Sequence, residues 1–450
     1  MTKKYILFLY LVLLMLSCAK DDGISPLLIE TNPDEFTLTQ NSEIEIYIFL
    51  NDLNIPSKGT LTLSQPTKGT VFILDNDTPN NPSDDSIKYT ANSNEIGEDN
   101  FTYTICTISG DCITENVSLT IVSASNINLD LGSIPYETLS EYNFFQGNLK
   151  DLKPNFGVVP YGLNSVLFTD YAKKKRFVWM PNNTKATYIS DDVSLNFPIG
   201  TVLIKSFYYD NVLPHNKTQL IETRLMIRKN EGWIFANYIW NETQTEAALD
   251  LNGRFVNLQW LENEEVNTVQ YRVPSEAKCF TCHKILETPE PIGPKPRNLN
   301  FEYEDGPENQ LNKLVSLGYL ENSLPETISQ LPNYSDISEP LESRVRAYLE
   351  INCAHCHSEE THCSYRPMRF EYIDTQNYDN IGVCVDPDTE LEEGLGHIVE
   401  PGDARNSVLH YRLSSNEPST RMPLLGRSLR HNEGVALIEE WIDSLITDCN

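Results

Sequence analysis

The five residues Cys353-Ala354-His355-Cys356-His357 constrain this 450-residue chain more than any other stretch. Two thiols three positions apart can bond the two vinyl groups of a haem, and a histidine directly after them then faces the iron. A second copy lies upstream, Cys279-Phe280-Thr281-Cys282-His283. Zinc held by two Cys-x-x-Cys pairs and a redox disulfide are the competing readings. The histidine adjoining each pair favours two covalently attached haem c groups.

Haem attachment and disulfides both belong to an oxidising compartment. The start of the chain agrees. Lys3 and Lys4 precede an apolar run from Tyr5 to Leu16, which is too short to span a membrane comfortably and reads as a signal peptide over 1–17. Met15-Leu16-Ser17-Cys18 resembles the lipobox of bacterial lipoproteins. The resemblance implies cleavage before Cys18, lipidation of Cys18, and a tether over 18–24. Lys20-Asp21-Asp22 within it is similar to the acidic signal of surface-exported lipoproteins of the Bacteroidetes type. The expected location is the cell envelope, at the outer membrane, with the membrane touched through the lipid. A formal net charge of −30, from 64 acidic and 34 basic residues, repels nucleic acid and argues against it as a partner.

The other cysteines are read by position. Cys106 and Cys112 flank a hairpin turn and are expected to bridge. Cys363, Cys384 and Cys449 leave room for one bridge and one free thiol, and Cys363–Cys384 is the favoured pairing.

Residues 25–124 alternate short strands with polar turns, the pattern of a β-sandwich. The order Asn51-Asp52, Gln65-Pro66-Thr67-Lys68-Gly69-Thr70, Tyr89-Thr90-Ala91-Asn92 and Asp99-Asn100-Phe101-Thr102-Tyr103 resembles bacterial Ig-like or cadherin-like repeats. The acidic loop carrying Asp75, Asp77, Asp84 and Asp85 is a candidate calcium set, although it lacks EF-hand spacing.

Residues 129–300 form the expected β-rich domain bearing the first haem segment. Arg224 to Trp240 reads as a hairpin turning at Lys229-Asn230-Glu231-Gly232. Trp179, Trp233, Trp240 and Trp260 are expected to fill ordinary core. Pro289, Pro291, Pro294 and Pro296 hold the stretch after His283 extended, so it is expected to line one edge of the site. For the sixth position of the first iron, His215 is chosen ahead of Met180 and Met226. If none binds, that iron is open on one face.

Residues 301–338 read as a helical connector. From 339 to 450 the pattern is helical: a helix from Pro340 to Asn352 ending at Cys353, a loop with Met422-Pro423, and an amphipathic helix from about Glu433 to Ile446. This order resembles class I cytochromes c. The resemblance implies an all-α domain in which Cys353 and Cys356 attach haem, His357 is the proximal ligand and Met422 the distal one.

The chain from Tyr136 onward resembles a bacterial family of diheme c-type cytochromes through Pro160-Tyr161-Gly162-Leu163-Asn164, Ile239-Trp240-Asn241-Glu242, Pro291-Ile292-Gly293-Pro294-Lys295 and the two haem segments. The resemblance implies two haems and export. The expected function is single-electron transfer between redox proteins outside the inner membrane, with no catalytic residue assigned. The alternatives are a peroxidase-like enzyme with an open first haem, or the cytochrome subunit of a larger dehydrogenase.

Overall fold

The computed structural model describes residues 28–449 except 94, 123–126, 304–307, 390, 392 and 393. The leader, Cys18 and the tether therefore lie outside the described residues.

Alternation of apolar and polar residues builds the N-terminal sandwich. One sheet runs in the order β1 (Asp34–Thr39), β7 (Cys112–Val122), β6 (Gly97–Thr107), β3 (Gly59–Leu63). The other runs β2 (Glu43–Ile46), β5 (Ser86–Ala91), β4 (Gly69–Leu74). Ile46, Ile87, Tyr89, Phe101, Tyr103, Val117 and Leu119 fill the space between them. The buried tyrosines satisfy their hydroxyls on carboxylates, Tyr89 on Asp99 and Tyr103 on Asp52, each at 2.7 Å. Cys106 and Cys112 are cross-strand partners and form the expected disulfide.

The calcium expectation gains no support. Among the described residues Asp75, Asp77, Asp84 and Asp85 do not converge as a ligand set. Asp75 Oδ1 accepts the Asp77 amide at 3.3 Å and Asp84 accepts the Thr78 hydroxyl at 2.9 Å, so these carboxylates shape their own loop.

After two short paired strands, β8 (Phe145–Gln146) and β9 (Lys153–Pro154), comes a large sheet. It orders β10 (Val159–Pro160), β11 (Lys173–Trp179), β12 (Val202–Val212), β13 (Lys217–Lys229), β14 (Gly232–Trp240) and β15 (Ala247–Leu249). A long hairpin, β16 (Arg254–Glu262) with β17 (Glu265–Val273), joins it through Trp260 opposite Val212. The β13–β14 hairpin closes with Lys229 opposite Gly232, as the turn residues predict. Trp179, Trp233, Trp240 and Trp260 pack in the cores of this region.

The remainder is helical but irregular. Its helices are α1 (Glu276–Cys282), α2 (Pro296–Leu299), α3 (Gln310–Ser316), α4 (Leu341–Leu349), α5 (Tyr378–Ile381), α6 (Val408–Ser414) and α7 (Asn432–Ser444). Among its described residues the connector holds one short helix, α3, capped by the Asn309 side chain. One core gathers Val345, Tyr348 and Leu349 of α4 with Leu409 and Leu413 of α6 and Val435, Ile438, Trp441 and Ile442 of α7.

The favoured Cys363–Cys384 pairing is incorrect. Cys384 bonds Cys449, and Cys363 is a buried free thiol. The amide of Cys363 is tied back to Cys356 O at 2.8 Å, whereas that of Cys384 pairs with Val399 O at 3.1 Å. The two cysteines are thus held on separate segments.

The segment 165–171 locks the sheet to the helical part. Phe168 donates its amide to Asn352 Oδ1 at 2.9 Å. Asp170 Oδ1 accepts the amides of Ser428 and Leu429 at 2.6 and 2.7 Å.

Candidate functional site

Each Cys-x-x-Cys-His segment lines a cleft of its own, and the two clefts adjoin. The first lies between the face of the large sheet and the helical part, and encloses about 1630 Å³ counting space open to solvent. The second lies within the helical part and encloses about 1800 Å³ on the same measure. Cys282, Asn352, His355, Leu413 and Met422 belong to both walls. Where they meet, Cys282 Sγ stands 3.7 Å from Cys356 Sγ.

In the first cleft, helix α1 delivers Cys279 and Cys282, and its last turn ends on His283. The chain then folds back at once, because β18 (Lys284–Ile285) pairs with β19 (Thr288–Pro289). That hairpin returns Glu290 to His283, whose Nδ1 lies 3.0 Å from the Glu290 carbonyl. A histidine braced in this way has its tautomer fixed and keeps Nε2 for a metal. Burial, then the nearby Lys205, pushes the imidazole pKa down to about 3, so it stays neutral. Burial likewise raises the Cys279 thiol to about 11. Pro291, Ile292 and Pro294 line the cleft, as the proline run predicts.

In the second cleft, α4 is followed by a wider π-type turn over Glu350–Ala354 that carries Cys353. The amides of Cys356 and His357 both donate to Cys353 O at 3.0 Å. Phe370 donates its amide to His357 O at 2.9 Å, and its ring meets the imidazole edge-on at 5.4 Å. Burial lowers the His357 pKa to about 4 and raises that of Cys353 to about 12. Unlike His283, His357 has an Nδ1 that is buried with no hydrogen-bond partner.

At the junction, the hydrogen bond from Cys356 makes the Cys282 thiol easier to ionise and Cys356 harder. His355, inside the second segment, lies against the cysteine of the first. The ligand atoms of Cys282, His355 and Cys356 are all within 4.8 Å of one another.

The methionines divide between the clefts. Met226 lines only the first, Met368 only the second, and Met422 both. Met422 sits on the loop between α6 and α7, and that loop is built on Arg427. The buried guanidinium donates to the carbonyls of Met422 (2.9 Å), Leu413 (3.1 Å), Ser415 (2.8 Å), Arg412 (3.2 Å) and Leu429 (3.2 Å). The sequence reading missed this residue, because one arginine in a loop carries no pattern.

His215 does not fit the sixth-ligand expectation. It lies exposed in the β12–β13 turn, outside the cleft lining. The last cleft-lining residue on β12 is Phe207, about 5 residues before the strand ends at Val212, or roughly 17 Å at the rise of an extended strand. The polarity of its loop reflects solvent, not a site.

The residues present fit haem c in three respects: paired half-buried thiols, an imidazole after each pair held neutral, and walls with a large apolar share. Each cleft also has a methionine of its own.

Residues 25–120 match the family model described as a bacterial Ig domain. No curated protein matches the chain. Among solved structures, a Photobacterium 2,6-sialyltransferase aligns at 18% identity over 22% of this chain and 19% of that enzyme, with a TM-score of 0.17. A Bacteroides ovatus protein of a mixed-linkage glucan utilization locus, SGBP-B, aligns at 10% identity over 54% of this chain and 66% of that one, with a TM-score of 0.13. Sidekick-1 immunoglobulin domains 1–4 align at 6% identity over 55% and 76%, with a TM-score of 0.15. Scores this low carry no argument about the whole chain.

Proposed function

We propose that this chain is an exported c-type cytochrome that holds two haem c groups and passes single electrons between redox proteins outside the inner membrane. The observation that carries the reading is the convergence of both Cys-x-x-Cys-His segments on adjoining clefts, with Cys282 Sγ 3.7 Å from Cys356 Sγ. When bound, haem c supplies a metal centre that gains and loses one electron.

In this reading Cys279 and Cys282 hold the first haem, and His283 offers its Nε2 while Glu290 O holds its Nδ1. Cys353, Cys356 and His357 hold the second, inside a cytochrome c-like shell over 339–450. Met422 is the candidate distal ligand of the second haem. With Cys282 and Cys356 side by side, haem groups held by the two segments would occupy adjoining clefts, which would suit transfer within the molecule. A lipid on Cys18 anchors the chain at the outer membrane, and the Ig unit acts as a spacer.

The test is a haem-stained denaturing gel of the wild type, Cys279→Ser/Cys282→Ser and Cys353→Ser/Cys356→Ser. Each double variant is expected to keep half the wild-type stain. An unstained wild type would overturn the proposal.

A second reading has an observation of its own. The convergence of Cys282, His355 and Cys356 offers two thiolates and an imidazole, a set that zinc takes. About one zinc per chain without haem would favour it.

A further inference from the structure

The first cleft contradicts the charge of the molecule around it. The chain carries 64 acidic and 34 basic residues, yet among the described residues lining this cleft there is no aspartate or glutamate. Arg176, Lys205, Arg224, Arg272, Lys278 and Arg427 are.

Three of these form a row set by strand register. Arg176 on β11 lies opposite Lys205 on β12, and Lys205 lies opposite Arg224 on β13. Cross-strand partners project to the same face of a sheet, so three basic side chains stand side by side on the cleft floor, and burial with its basic neighbours lowers the Lys205 pKa to about 7. Like charges so placed repel one another and raise the cost of burial.

One buried carboxylate, Glu222, offsets part of this charge, at Arg224 directly and at Lys205 through space. Arg224 donates to Glu222 at 2.6 Å, but its Nε is buried with no acceptor. Glu222 also accepts from Tyr271, again at 2.6 Å. Arg176 is 7% exposed, and the groups facing it are the phenols of Tyr161 and Tyr303. Lys205 and Arg224 both lie over the Phe207 ring, at 5.4 and 4.4 Å from its centroid. Among the described residues neither Arg176 nor Lys205 has a salt-bridge partner. A buried Arg176 and a half-buried Lys205 with no ion-pair partner of their own leave room for a bound anion to complete them.

We infer that the row Arg176–Lys205–Arg224 is an anion site on the floor of the first cleft, built for a carboxylate or a small oxyanion. The inference rests on the cytochrome reading for one of its two sources, the propionates of a haem attached at Cys279 and Cys282. The other source is a free anion entering the cleft from solution.

The experiment uses the holoprotein, with haem content measured first. One haem or none per chain defeats the cytochrome reading, and the anion arm still runs on that sample. Acetate and sulfate are titrated by calorimetry into the wild type, Arg176→Gln, Lys205→Gln and the charge-keeping Lys205→Arg. The first haem's potential is followed against pH in the same proteins.

If a free anion is the ligand, the wild type binds acetate or sulfate saturably. Lys205→Gln then weakens binding about ten-fold or more, and Lys205→Arg retains it. If the propionates are the ligand, added anions do not bind. Both glutamine variants then lower the first haem's potential and move its proton-linked step to higher pH, because a lost cation favours the ferric iron and the protonated carboxyl alike. Absence of anion binding, with potentials and pH profiles unchanged in both glutamine variants, would overturn the inference.

Discussion

The two clefts carry the same five-residue signature and differ in nearly everything else. The first is floored by a β-sheet, lined by cations, and holds a histidine whose Nδ1 is braced on Glu290 O. The second is walled by helices and loops, and its histidine leaves Nδ1 without a partner. A signature fixes the covalent chemistry of a site, while the surrounding architecture fixes its charge, rigidity and access. The helical part that walls the second cleft is also stapled, since Cys384–Cys449 spans 65 residues of it, whereas Cys106–Cys112 spans only 6 in the sandwich.

That contrast can be broken experimentally. Cys449→Ser should give the largest loss, about 4 kcal/mol from loop closure alone. The loss should appear at the second cleft, so hydrogen exchange should quicken in α6 and α7 while the large sheet keeps its protection. Uniform loss across both would contradict the assignment.

Arg427→Met comes next. It removes the guanidinium from four backbone carbonyls, Arg412 O keeping the Met422 amide at 3.0 Å, and should cost more than about 3 kcal/mol in chemical denaturation. Because Met422 sits on that loop, the spectra of both haems should change together.

Acid should act on the two clefts unequally in protein made without haem. His283 and His357 stay neutral in the fold down to pKa values of about 3 and about 4, against an ordinary 6.5. The unfolded chain therefore binds more protons below pH 6.5. Stability present above that pH is lost on acidification, by at most about 1.4 kcal/mol per pH unit for each histidine. Denaturation curves at pH 7, 5 and 4 should show this slope, and His283→Phe should remove the part belonging to the first cleft.

The smallest effects on stability should come from Met226→Leu and Met422→Leu, each under about 1.5 kcal/mol as near-isosteric swaps. Their spectra should separate the clefts. Met226→Leu should leave the second haem unchanged, and Met422→Leu should lower the second haem's potential.

The sequence made much of this legible because the relevant information is local. Cys-x-x-Cys-His is contiguous, the β13–β14 turn is written in Lys229 to Gly232, and alternation placed most of the sandwich strands. What escaped reading depends on partners far along the chain. Arg176, Lys205 and Arg224 form a row only once three strands pair. Their one visible trace was Lys173-Lys174-Lys175-Arg176, a basic run in an acidic chain. Cys282 meets Cys356 across 74 positions. The same limit explains the misassigned His215 and the misplaced Cys363–Cys384 bridge, since proximity in sequence or a polar loop says little about which groups face one another.

The most direct test is the intact mass of the purified protein together with its metal content. Two haem c groups per chain, with attachment to the first lost in Cys279→Ser/Cys282→Ser and to the second in Cys353→Ser/Cys356→Ser, is the predicted result. A mass without haem, with zinc lost when Cys282, His355 or Cys356 is replaced, would contradict the account.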